Sequence, residues 1–238
     1  MKKIIFMAML MATGISASAQ DDGENRSSKI ETTISADVVN QYIWRGLDLG
    51  NASLQPTVGV AYKGLSLSAW GSIGLTSAAD TKEFDLTAAY TIGGFNIGVT
   101  DYWFNTPEER YFLYDAHRTS HVFEANVGYD FGFAAIQWYT NFAGNDGTNS
   151  DGKRAYSSYV ELSAPFKLAT VDWSAAVGAV PFATTSYDTT GFAVTNVSLK
   201  ATKDIKVTDT FSIPVFGQIA ANPSAQKAYL VFGFTLQP

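Results

Sequence analysis

The chain has 238 residues, no cysteine and a formal net charge of −6, with 46% hydrophobic and 16% charged residues. Without cysteine there is no disulfide framework and no thiolate metal centre. An acidic balance without clustered Lys and Arg excludes nucleic acid as a partner. The mean hydropathy is near zero, which suits a soluble protein but equally a barrel whose apolar outside is averaged with a polar inside.

Lys2 and Lys3, the apolar run Ile4 to Ala12 and the small-residue stretch Ala17-Ser18-Ala19 have the order of an export signal. The apolar run is too short for a spanning helix, which needs about 20 residues. Residues 1–19 are therefore expected to be a cleavable signal peptide, residues 20–29 a flexible lead-in, and residues 30–238 the folded part. No Cys follows the signal, so no lipid anchor is expected, and loss of Lys2 and Lys3 takes the net charge to −8.

From Ile30 onward the chain predicts twelve strands, at 30–45, 54–63, 65–75, 82–92, 95–104, 121–131, 133–142, 155–166, 169–180, 192–203, 210–221 and 226–236. Most are ~10–12 residues long, enough for a tilted strand to cross a membrane, whereas strands of globular proteins average ~5–6. Apolar and polar residues alternate along them. Phe84, Leu86, Ala88, Tyr90 and Ile92 oppose Asp85, Thr87, Ala89 and Thr91; Leu230, Phe232, Phe234 and Leu236 oppose Tyr229, Val231, Gly233 and Thr235. Pro214 falls inside a predicted strand and is expected to require a bulge or local defect there.

Periodicity alone fits either a soluble sandwich with its apolar faces inward or a membrane barrel with them outward. Three features favour the barrel. Tight connections, such as Lys63-Gly64 and Gly93-Gly94, alternate with longer polar ones, such as 105–120 and 143–154. Aromatic residues (Tyr42, Trp44, Trp103, Phe131, Phe142, Phe166 and Trp173) cluster near strand ends, where interfacial girdles sit. An export signal supplies the route. The expected fold is an all-β, transmembrane, antiparallel up-and-down barrel of about twelve strands.

The stretch Asp37 to Ser72 contains Tyr42-Ile43-Trp44-Arg45-Gly46, Gln55-Pro56 and Trp70-Gly71-Ser72. In these elements it resembles the TorF-type family of small secreted porin-like barrels, over about the first third of the mature chain. The resemblance implies a porin-like barrel and no defined substrate. The C-terminus, Phe234-Thr235-Leu236-Gln237-Pro238, departs from the terminal aromatic of many such barrels.

By alternation, Glu31, Asp37, Arg45, Lys63, Asp85, Glu124, Asp130, Glu161, Asp172 and Lys200 face the lumen, seven acids against three bases. Such a lining favours cations. Asp37, Arg45, Lys63, Trp70, Asp85, Glu124, Glu161 and Lys200 are the pore-lining candidates. Arg45 either narrows the outer mouth or pairs with a carboxylate such as Asp37 or Asp85. Trp70 points inward; Trp44, Trp103, Trp138 and Trp173 are expected as lipid-interface anchors.

Two other functional classes stay open: a secreted β-sandwich binding module and an outer-membrane lipid-modifying enzyme. The latter would have to use His117 or His121 beside Thr119-Ser120 and Asp115, where no metal set is complete. The favoured reading is an outer-membrane porin for small, cationic or neutral solutes. Its partners are outer-membrane lipid and the solute; no cofactor, metal or catalytic residue is expected, and oligomeric state is open.

Overall fold

The computed structural model describes residues 29–77, 80–106, 108–209 and 211–238. The expected signal peptide and residues 20–28 of the lead-in lie outside them. The described strands are β1 (Glu31–Val39), β2 (Tyr42–Trp44), β3 (Leu47–Gly50), β4 (Ser53–Tyr62), β5 (Leu65–Gly74), β6 (Lys82–Ile92), β7 (Phe95–Phe104), β8 (Val122–Asp130), β9 (Ala135–Gly144), β10 (Ser158–Leu168), β11 (Val171–Val180), β12 (Ala193–Lys206), β13 (Ser212–Asn222) and β14 (Lys227–Leu236). Twelve of them form one closed antiparallel barrel in which each strand pairs with its neighbour in the chain and β1 closes onto β14. β2 and β3 stand apart as a small hairpin of their own.

Closure follows from the alternation. The wall strands carry Leu, Ile, Val and aromatic residues on one face and mostly small or polar residues on the other, with Val39, Tyr139, Tyr159, Phe216 and Val231 inward where the hairpin packs. The apolar face points away from the barrel: Val58, Leu67, Leu86, Val99, Leu162, Val177, Leu199 and Phe232 are all exposed. The polar face points inward, where Ser72, Glu83, Asp85, Thr100, Glu124, Asn196 and Lys200 are buried. A water-soluble sandwich has the opposite polarity, so the sandwich alternative does not survive.

The two ends of the barrel differ. Both described termini lie at the end with short turns, among them Lys63-Gly64 and Gly93-Gly94. Lys63 and Gly64 both have positive φ, 50° and 88°, the two-residue turn whose twist matches the flanking strands. The opposite end carries the long connections 40–52, 105–121, 145–157 and 181–192.

Four expectations need correction. The predicted 30–45 strand ends at Val39, and 40–52 leaves the wall. Tyr42 and Trp44 are consequently inside the barrel and not in an interfacial girdle. Pro214 sits opposite Asp204 in an unshifted β12–β13 ladder, and the β13–β14 ladder begins only at Val215, so no bulge is needed. The register shifts of the described wall ladders lie instead at Phe123/Glu124 and Gly178/Ala179.

The β1–β14 seam is short, running only from Ala36↔Leu236 to Val39↔Gly233. Asn40 extends it with a side chain. Its Nδ2 donates to the Leu230 carbonyl at 3.0 Å, and its Oδ1 accepts from the Phe232 N–H at 2.7 Å. An amide group thus continues the ladder for one more step and fixes the point where the chain turns into the lumen.

Candidate functional site

Residues 40–52 fold back into the barrel mouth, and the β2–β3 hairpin crosses the lumen. Its turn is Arg45-Gly46, with φ of 50° and 81°. Arg45 there costs on the order of 1 kcal/mol as a non-glycine residue in the left-handed region, so its neighbours must offset that strain. Gly46 is required, because a Cβ at this position would run into the Thr195 carbonyl on β12. The Gly46 carbonyl also accepts from Asn222 Nδ2 on β13 at 3.2 Å. Gly46→Ala is expected to displace the turn and destabilise the closed hairpin by at least about 1 kcal/mol. Trypsin cleavage after Arg45, blocked in the wild type, would then become rapid; unchanged protection would show that the turn does not depend on this glycine.

Arg45 is only 8% exposed, and its partners come from three parts of the wall. Its Nη1 and Nη2 donate to the two oxygens of Glu124 on β8 at 2.6 and 2.9 Å, a bidentate pair. Nη1 also donates to the Tyr187 hydroxyl at 2.7 Å. The guanidinium lies over the rings of Trp44, Tyr139 and Tyr159 at 4.3, 4.0 and 4.7 Å. Tyr102 on β7 donates to the same Glu124 at 2.9 Å. The partner of Arg45 is therefore Glu124, not Asp37 or Asp85.

The hairpin glues to opposite walls through small apolar clusters. Ile43 packs with Val39, Phe216, Ala220 and Val231. Trp44 and Leu47 pack against Tyr139, Tyr159, Val180 and Tyr187. A second polar tie reaches β6, where the Tyr42 hydroxyl donates to Glu83 at 2.9 Å. Glu83 and Asp85 are both buried, two positions apart on the inner face, and Asp85 Oδ1 has no hydrogen-bond partner among the described residues. Trp70 faces inward against Tyr42, ring centroids 5.6 Å apart.

Beneath the hairpin the lumen opens into a cavity of ≈ 90 Å³ roofed by Ile43, Arg45 and Gly46. That is room for several waters at about 10–15 Å³ each. Its wall carries the Ser163, Ser174 and Ser198 side chains, with Glu161, Lys200 and Gln218. Glu161 accepts from the Tyr159 hydroxyl at 2.6 Å and from Asn196 Nδ2 at 3.4 Å. The Lys200 ammonium sits 3.9 Å above the Phe216 ring. Asp37, at the β1–β14 seam, accepts from Thr235 at 2.6 Å.

The pore-lining candidates thus fall into groups. Arg45 and Glu124 meet at the roof, Glu161 and Lys200 share the cavity, and Asp85 and Trp70 lie beside Tyr42 across the barrel. Lys63 is a correction: it occupies an exposed turn, its ammonium 5.2 Å from the Tyr62 ring, and contributes no wall position. Glu83 escaped the sequence reading although it shares the parity of Asp85. Lys167 did too; it pairs with Asp172 at 3.0 Å.

The histidine region does not form the site that the enzyme alternative would need. His121 is wholly buried on the outer wall, beneath Tyr111 and Tyr114 of the 105–121 connection. Its Nδ1 meets Asp101 Oδ1 at 2.7 Å and its Nε2 meets the Tyr111 carbonyl at 2.7 Å. A base for a nucleophile needs a free Nε2 within reach of substrate, and here that nitrogen is committed to the backbone. The arrangement clasps the connection to the barrel. Asp115, nearby and exposed, is held below the usual carboxylate range by the His117 backbone N–H and by Arg118.

No family model matches the chain, and no curated protein matches it. Among solved structures it is similar to the crystal structure of an outer membrane channel from Pseudomonas putida F1. Identity is 12% over 91% of this chain and 98% of that chain, with a TM-score of 0.40. A likeness this distant says nothing about solute or mechanism.

Proposed function

We propose that the chain is an outer-membrane channel of the porin type, passing small polar solutes through the barrel lumen. One observation carries the reading: a closed barrel with an apolar outer wall encloses a cavity whose lining includes Asp130, Glu161, Lys200 and Gln218, roofed by an in-folded hairpin. A closed sheet leaves no unpaired edge for hydrocarbon, and an apolar outer belt has no other use in water. The export signal read in residues 1–19 and the resemblance of Asp37 to Ser72 to TorF-type porins support the same assignment and the same location.

The mechanism is diffusion down a gradient, selected by pore width and charge. Asp130 and Glu161 line the cavity with Lys200, Asp37 lies at the β1–β14 seam, and the acidic excess favours cationic or neutral solutes over anions. The test is conductance of purified, refolded protein in a planar bilayer across a salt gradient. Current is expected to reverse toward the cation potential. Reversal toward the anion potential would remove the charge argument, and complete silence of a correctly folded barrel, even with residues 41–50 replaced by a Gly-Ser linker, would remove the channel.

A further inference from the structure

We propose that the β2–β3 hairpin is the gate of this channel, latched by Arg45 on Glu124, and that opening converts a neutralised mouth into a cation-selective one. The inference rests on the channel reading above and adds its regulation. Three features of the hairpin go beyond a static filling.

First, the hairpin moves as a unit between two fixed roots. Asn40 is tied to β14, and Asn51 is tied to Asp80 by an Nδ2–Oδ1 hydrogen bond of 2.8 Å. Between the roots, β2 and β3 pair only with each other and with no wall strand. Displacement therefore breaks no barrel ladder. Gln41 Nε2 donates to Asp48 at 3.0 Å, holding the hairpin together as it moves.

Second, the attachments to the wall are side-chain contacts concentrated at the tip. The polar ones are the Arg45 pair with Glu124, its bond to Tyr187, the Tyr42 bond to Glu83 and the Gly46 carbonyl bond to Asn222, and Ile43, Trp44 and Leu47 add apolar contacts. Of this set the bidentate pair is the charge-assisted member, and its loss leaves the turn held by the neutral Gly46–Asn222 bond and by apolar packing of Ile43, Trp44 and Leu47.

Third, the charge balance depends on the hairpin. With the latch closed, Arg45 neutralises Glu124 and the Tyr42 hydroxyl caps Glu83. With the hairpin withdrawn, one cation leaves the lumen and three carboxylates (Glu83, Asp85 and Glu124) line the opening. Acidic rings select cations, so the open state admits cations and the same motion that widens the pore sets its selectivity.

The experiment compares single-channel records of wild type with Arg45→Ala, Tyr42→Phe and a variant whose residues 41–50 are replaced by a Gly-Ser linker. Heat-modifiable gel mobility checks that each barrel is formed. The wild type is expected to stay mostly closed. Arg45→Ala is expected to raise open probability by at least about tenfold, since loss of even one charge-assisted hydrogen bond shifts a two-state population by that factor. The linker variant is expected to conduct continuously with a reversal potential closer to that of a pure cation pore. Tyr42→Phe keeps the ring and removes one bond, so it gives a smaller rise in open probability even if the linker variant does not fold. Conduction by all folded proteins with identical open probability and reversal would overturn the gate and leave the channel standing. Silence of every folded protein, linker variant included, would overturn both.

Discussion

Replacing Arg45 by Ala is expected to destabilise the barrel by about 3–5 kcal/mol, the cost of stranding one member of a buried ion pair. Side-chain exposures of 5% and 4% for Arg45 and Glu124 leave almost no solvent to screen the abandoned carboxylate. The loss is expected in urea unfolding of vesicle-inserted protein, as a lower midpoint with an unchanged slope. A double variant, Arg45→Met with Glu124→Leu, should recover most of it, because an apolar replacement of both partners removes the desolvation burden together with the attraction. If the single variant proves as stable as wild type, the guanidinium is not paying for a buried carboxylate and the latch has no energetic basis.

The wall was legible in the sequence because lipid and lumen impose a period-2 pattern on every strand. Leu86 against Asp85, and Phe232 against Val231, already place side chains on the correct faces. Boundaries shifted by a few residues, as at β9 and β12, without moving a face. The hairpin was not legible in the same way. Val39, Ile43 and Trp44 carry the aromatic and aliphatic character of β1 onward, and only Asn40-Gln41 interrupts it. The signal that was present is length: the 30–45 segment overruns the ~9–11 residues that a tilted strand needs, and the excess had to go somewhere. Arg45-Gly46 at the centre of that excess is turn chemistry.

The site divides along similar lines. Inward positions follow from parity, and Glu83 was available from Asp85 by counting two residues back. Which carboxylate meets Arg45 was not available. Asp37 and Asp85 are nearer in sequence, but Arg45 reaches Glu124, 79 residues away, because the hairpin projects across the lumen and not along the strand that precedes it. The same geometry explains Trp44. Read as a strand residue it belongs at the membrane interface; in a hairpin it turns inward and stacks on Tyr187 at 5.7 Å. Alternation reports a face only as long as the strand itself continues.

The outward orientation of the apolar face leads to the second large effect, Val99→Arg. Val99 lies near the middle of β7, opposite Ala88 on β6 and Ala125 on β8, and is 42% exposed on the outer wall. If that wall faces hydrocarbon, an arginine at mid-height should cost about 2–4 kcal/mol. If it faces water, a surface substitution of this kind should stay within about 0.5 kcal/mol. Ser198→Arg is the control. It lies on β12 and lines the cavity, where water and the Glu161 carboxylate can receive the charge. The comparison is made by reversible urea unfolding in phosphatidylcholine vesicles. A large loss for Val99→Arg with a small one for Ser198→Arg places lipid outside and water inside. Equal small losses would mean that the outer belt never meets a bilayer, and the channel, its gate and its selectivity would then have no membrane to act across.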